Sequence, residues 1–358
     1  MKRNAKTKWI SLIMAMLLLV SVTACGNSQS GSESNSGNNS GSNAPAPEAN
    51  QGSTGEAPTS ISDLTILTGP SGGTMEIVGA ATIEVFKSVM PGTQFSSVPT
   101  TGSAVNIHML VAGEGEVGII TADTMAAAVN GEDPFTEPVE GLMSMCALYP
   151  NTIQLWALPE SGIDDFSDLE GKTFTCGQYG GGPYQPCMNM MSVFGMSEDS
   201  VKAAGGNITP LAWGEATSNL QDGNIDAVFW TTSYPAAGIV NASVGRDFKL
   251  VQINRDKLAE FKNTFQGWVD ITIPAGTYTF QNEDVYTIGS PNLYVVREDV
   301  PEEVVYELTK AICENYAALG AAHALLADLS DETVAQGLVG GVHPGALRYY
   351  EEMGIKVN

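Results

Sequence analysis

Leu64-Thr65-Ile66-Leu67-Thr68 is a short β-branched, apolar run that stops at Gly69-Pro70-Ser71-Gly72-Gly73-Thr74. Beyond it Ile77, Ala80, Ala81, Ile83, Val85 and Phe86 recur at helical spacing as far as Pro91-Gly92, which predicts one broad apolar face. Phe95 to Val98 reads as a second strand, and Thr100-Thr101-Gly102-Ser103 leads into a helix carrying Val105, Leu110 and Val111. Val117, Ile119 and Ile120 mark a third strand, with Asp123 placed to cap the helix that follows. Strand, polar loop and helix repeat three times, the pattern of a parallel α/β sheet with helices on its faces.

Residues 147–158 form a longer extended run through Tyr149-Pro150 that leaves this first block. A second alternating block follows, with a strand at Lys172-Thr173-Phe174-Thr175, a glycine loop at Gly180-Gly181-Gly182 and a helix near Gln185 to Phe194. Ile208 to Trp213, a helix through Leu220, and Ile225 to Thr231 complete it. Another long extended segment, Val285 to Val296, returns the chain. Pro301 to Leu319 then reads as one helix with Val304, Val305, Leu308, Ile312 and Tyr316 on a shared face. The expected organisation is lobe one over residues 61–153, lobe two over 154–252, and a return segment over 253–358 mainly in lobe one.

Two α/β lobes joined by long crossing segments leave a cleft. In open parallel sheets ligands lie off the carboxyl ends of the strands, where loops and helix N-termini converge. The candidate ligand-binding residues in lobe one are Ser71, Gly72, Gly73, Thr74 and Glu76, then Gly102, Ser103 and Asn106, then Thr121 and Asp123. Glycine at a helix start lets free N–H groups come close to an anionic or carbonyl oxygen, and the helix dipole helps. Lobe two contributes Tyr179, Gly180, Gly182 and Tyr184, then Trp213, then Trp230, Thr231, Thr232, Ser233 and Tyr234. Its aromatics offer contact area, and attraction to any cation.

The start of the chain bears on compartment. Lys2, Arg3, Lys6 and Lys8 precede the apolar run Trp9 to Val20, which is short for a membrane span, and Val22-Thr23-Ala24-Cys25 resembles a lipobox. Residues 1–24 are therefore expected to be a lipoprotein signal peptide and Cys25 the lipidated residue, anchoring the protein on the outer face of the cytoplasmic membrane. Residues 25–60, rich in Gly, Ser and Asn, cannot bury enough apolar surface to fold, and as a flexible coil they reach about 30–35 Å. Losing the four basic residues of the signal takes the formal charge from −24 to −28, which argues against a nucleic-acid partner.

Enzyme chemistry finds no constellation. His108, His323 and His343 lie far apart without metal-ligand spacing, no G-x-S-x-G elbow occurs, and the Gly72-Gly73 loop lacks the lysine of a phosphate-binding loop. The five cysteines show no zinc spacing. No catalytic residue, metal or cofactor is expected. Cys176 and Cys187 flank the lobe-two glycine segment, and two readings stand: a disulfide or a pair of buried free thiols.

Several strings resemble the TAXI family, the extracytoplasmic solute receptors of one branch of the TRAP transporters. They are Leu64 to Thr74, Pro99-Thr100-Thr101-Gly102-Ser103 with Asn106, and Gly113-Glu114 onward to Ile119. Ala147-Leu148-Tyr149-Pro150, Asp168-Leu169-Glu170-Gly171-Lys172 and Asp222-Gly223-Asn224-Ile225-Asp226-Ala227 extend the set. Ile273-Pro274-Ala275-Gly276-Thr277-Tyr278 and His343-Pro344-Gly345-Ala346 with Arg348-Tyr349-Tyr350 complete it. The resemblance implies a two-lobed periplasmic-binding-protein fold of class II, a hinged cleft, TRAP membrane permease subunits as partners, and an amino acid or organic acid as ligand. The sequence departs from the family at the ligand loops: Met75 and Glu76 stand where aromatics are usual, and Gly180-Gly181-Gly182-Pro183-Tyr184 replaces Gly-Ser-Gly-Thr-Arg. Losing that arginine removes the bidentate partner of a carboxylate, so an amine-bearing or partly apolar ligand is expected in place of glutamate. Three alternatives accompany this reading: a receptor for an ABC importer, a surface adhesin with a vestigial cleft, and an enzyme on the same scaffold.

Overall fold

A computed structural model describes residues 60–71 and 73–357. The expected signal peptide, Cys25, nearly all of the expected tether and Gly72 lie outside the described residues. In lobe one the chain forms β1 (Asp63–Leu67), α1 (Thr74–Val89), β2 (Gln94–Val98), α2 (Ser103–Val111), β3 (Val117–Thr121), α3 (Ala122–Asn130) and the long β4 (Leu142–Ala157). Lobe two holds β5 (Thr173–Thr175), α4 (Tyr184–Val193), α5 (Glu198–Ala203), β6 (Asn207–Ile208), α6 (Trp213–Asp222) and β7 (Ala227–Thr232). It continues through α7 (Ala237–Ala242), β8 (Lys249–Leu250), α8 (Arg255–Thr264) and β9 (Val269–Ile273). The long β10 (Val285–Arg297) leads back to α9 (Glu302–Cys313), α10 (Tyr316–Ala322) and α11 (Pro344–Met353). Among the described residues no helix is long and apolar enough to cross a membrane.

All strands join one mixed sheet in the order β2-β1-β3-β10-β4-β7-β5-β6, with β8 on β4 and β9 on β10. Each lobe repeats one plan: the middle strand of its parallel trio starts the lobe, and the third pairs with a strand arriving from the other lobe. Both faces of each half-sheet are covered. Leu64, Ile66, Val117 and Ile119 point towards α1, α9 and α11, whereas Leu67 and Ile120 point towards α2 and α3, as the two-residue period of a strand requires. In lobe two Phe174 and Phe229 pack with α4 and α8, and Trp156 and Val228 pack with α6 and α7.

Three expectations are corrected. The predicted helix from Pro301 to Leu319 breaks at Glu314-Asn315, where Asn315 turns its side-chain amide back onto the Ala311 carbonyl and leaves helical geometry. Trp213 begins α6 and does not extend the strand at Ile208. The boundary at residue 253 moves later: Ile253, Leu258, Phe261 and Ile288 pack with Ile163, Phe174 and Phe229 of lobe two, and β10 carries the chain back into lobe one.

Candidate functional site

The register places the two sets of strand ends opposite each other. Thr121, the last residue of β3, pairs with Asn292, and Asn292 pairs with Tyr149 of β4. Thr232, the last residue of β7, pairs with Thr152 of the same strand. Three residues of extended chain, about 10 Å, therefore separate the carboxyl ends of the parallel strands of one lobe from those of the other. Pro150 sits opposite Pro291 in this crossing, so neither strand donates a ladder hydrogen bond at that rung.

In lobe one the loops are braced from within. Gly73 precedes α1 in a turn where its N–H reaches the Pro70 carbonyl at 2.8 Å, and a Cβ there would lie only 2.8 Å from the same oxygen. Thr74 opens α1, and Ser71 donates to Glu76 in its first turn at 3.5 Å. Gly102 holds φ 127° at the start of α2, open to glycine at little cost. Ser103 Oγ accepts from the Thr121 N–H at 3.0 Å, tying two loops together. Asn106, expected at the ligand, is instead fully buried, and its amide nitrogen faces the carbonyls of Thr68 (2.7 Å) and Ile119 (2.8 Å). Its Oδ1 accepts from Thr100, so it holds β1 to β3 from behind. Asp123, expected to cap α3, does not. The N-cap is Thr121, and the Asp123 carboxylate accepts from Ser290 of β10 at 3.0 Å. Gly267 packs against the Ala122-Asp123 backbone so closely that a Cβ would sit 2.5 Å from Ala122 C.

In lobe two Tyr179 is 63% exposed and its ring meets Tyr184 edge-on at 5.3 Å. Tyr184 begins α4 and donates its hydroxyl to Glu198, while Gly180 and Gly182 stand in the exposed turn before it. Cys176 and Cys187, at the two ends of this loop, are both buried and free. Trp213 and Trp230 lie 4.9 Å apart and half-buried, leaning on the core around Trp156. The carbonyls of Thr232 and Ser233 accept from Gln154, and Thr231 is half-buried beside them. Tyr278, the last residue of the Ile273 to Tyr278 string, donates to Gln154 and accepts from the Ala236 N–H at 2.8 Å, locking the loop after β7.

A cavity of about 250 Å³ opens at the crossing, lined by Tyr149, Pro150 and Pro291 of the crossing strands, Ser233 and Tyr234 of lobe two, and Asp328 among others. Of the residues read from sequence, it takes in only Ser233 and Tyr234. Tyr149 stands within a string the sequence makes conspicuous, but as a motif and not as a wall. Asp328, Thr333 and Gln336 come from an irregular stretch after α10 with no periodicity to mark it. Burial pushes the Tyr149 hydroxyl well above the usual phenol range, and burial together with the Asp328 charge raises Tyr234. An open depression of about 450 Å³ lies elsewhere on lobe one, between the end of α2, the start of β4 and the end of β10. Its Arg297 is already engaged by Asp299 and Glu116.

A family model described as the NMT1-like family matches residues 66–354. The chain belongs to the NMT1-like family. Its motif strings resemble TAXI receptors, but the family shown is the NMT1-like one. Among solved structures, this NMT1-like chain is similar to XAC2383 from Xanthomonas citri bound to ATP, at 12% identity and a TM-score of 0.50 over 82% of this chain and 96% of that one. It is also similar to the periplasmic aliphatic sulphonate binding protein SsuA from Escherichia coli, at 16% identity and a TM-score of 0.48 over 82% and 79%. A third is ytmK from Bacillus subtilis, a probable amino-acid ABC transporter extracellular-binding protein, at 12% and 0.45 over 74% and 96%. Fold and topology together are those of a periplasmic binding protein, an α/β architecture with a mixed sheet and two crossing strands.

Proposed function

We propose that this NMT1-like protein is an extracytoplasmic receptor that captures a small organic solute between its lobes and passes it to a membrane importer unchanged. One observation carries the reading: the carboxyl ends of both parallel trios face each other across Tyr149 to Thr152, and a cavity opens there with walls from both lobes. The Pro150–Pro291 rung gives the crossing strands a place to bend, and a solute that contacts both lobes favours the closed form by its extra contacts. We place an ABC-type importer first as partner, in line with ytmK, a probable amino-acid ABC transporter extracellular-binding protein to which the chain is similar in fold; a TRAP permease is the second reading, carried by the motif strings. The signal and Cys25 put the receptor on the outer face of the cytoplasmic membrane, held by lipid.

Thermal melting of the chain against a panel of amines, amino acids, organic acids and sulfonates tests this. A true solute at 100 times its dissociation constant adds about 2.7 kcal/mol of stability. A flat response across the panel, or turnover of a bound compound, contradicts the proposal.

A further inference from the structure

Among the described residues, the cavity at the crossing has no Lys, Arg or His in its wall. Its two carboxylates are Asp270 and Asp328. Asp270 is taken by Lys262 of α8, whereas Asp328 is exposed and forms no ion pair among the described residues. A second observation points to a ligand independently. Tyr149 is only 4% exposed and lines the cavity, yet its hydroxyl has no hydrogen bond among the described residues; only its carbonyl is engaged, by Asn292. That oxygen is therefore free to bond to a group that enters the cavity. The remaining wall is largely apolar, with Leu148, Ile271, Pro291 and Leu325.

An anion entering here would lose its water and meet no compensating positive charge, with Asp328 repelling it. A cation meets the reverse: a carboxylate at the rim, two tyrosine rings whose faces attract positive charge, and a protein whose net charge of −24 draws cations in. We propose that this cavity takes a small organic cation, its ammonium group held by Asp328 and the Tyr149 oxygen and its apolar body against Ile271 and Leu325. The inference rests on the solute-receptor reading and adds the charge class of the solute.

Calorimetric titration of the full chain with three size-matched probe sets tests it: alkylamines and quaternary ammonium ions, carboxylates and sulfonates, and neutral amides. The expected result is one-to-one binding of a cation. Asp328→Asn should weaken it about tenfold or more, and Tyr149→Phe should weaken it by less. Asp328 is exposed and the phenylalanine keeps the ring, and melting curves confirm that both variants are folded. Tighter binding of a matched anion overturns the inference, as does cation binding that neither substitution alters. In both cases one-to-one capture leaves the receptor reading standing. Silence from all three sets overturns the inference and the receptor reading together.

Discussion

Asn106 shows how a polar residue beside a cleft can serve the scaffold and not the ligand. It carries no charge and has 0% exposure, yet its amide group donates to the carbonyls of Thr68, just past β1, and Ile119 of β3, and accepts from Thr100. Removing it strands those groups in the interior, where each unsatisfied one costs about 1–3 kcal/mol. Asn106→Ala is expected to lower unfolding stability by about 3 kcal/mol in urea titration while a solute that still binds keeps its stoichiometry. Loss of binding with stability unchanged would return Asn106 to the ligand. Gly73 and Gly102 also act through backbone shape, one by close approach to Pro70 and one by its φ of 127°.

At the scale of elements, the two closing motifs turn out to be braces. Tyr278 locks the loop after β7, and His343 starts α11, accepting from the Gly345 N–H at 3.2 Å while Gly345 packs against the Glu302 carbonyl of α9. His343 is 1% exposed, and burial holds its pKa below the ordinary value, opposed by the nearby Val300 and Glu298 carbonyls. The unfolded chain therefore takes up this proton first as pH falls, and stability drops from about pH 6.5 downward until the folded-state pKa is passed. Protonation at Nδ1 also removes the cap. His343→Asn keeps a capping oxygen without the titration, so its melting temperature should fall less than the parent's between about pH 7.5 and 5.5. Equal slopes would show that His343 does not titrate in that window. The alternation of Leu64, Ile66 and Leu67 and the helical spacing from Ile77 to Phe86 make the βα repeat of lobe one readable from the order of residues alone. The break at Asn315 is not readable in that way, because Val304 to Tyr316 keeps a helical period straight through it. The Asp328 wall is equally hidden, since short turns carry no period and their place depends on where α10 ends.

For the whole molecule, the two lobes are one topological plan used twice, exchanging β4 and β10 across a single crossing. That exchange is what brings distant loops together: Thr121 and Thr232 are far apart in sequence but end within a few residues of each other along β4. The proposed closure would bend the crossing strands at Pro150 and Pro291, where neither donates a ladder hydrogen bond. Lobe closure on a solute is thus what the proposed function asks of this fold. Small-angle X-ray scattering of the chain, with and without the solute that melting identifies, measures it. The account predicts a smaller radius of gyration in the presence of saturating solute, and a scattering curve that the solute leaves unchanged would contradict it.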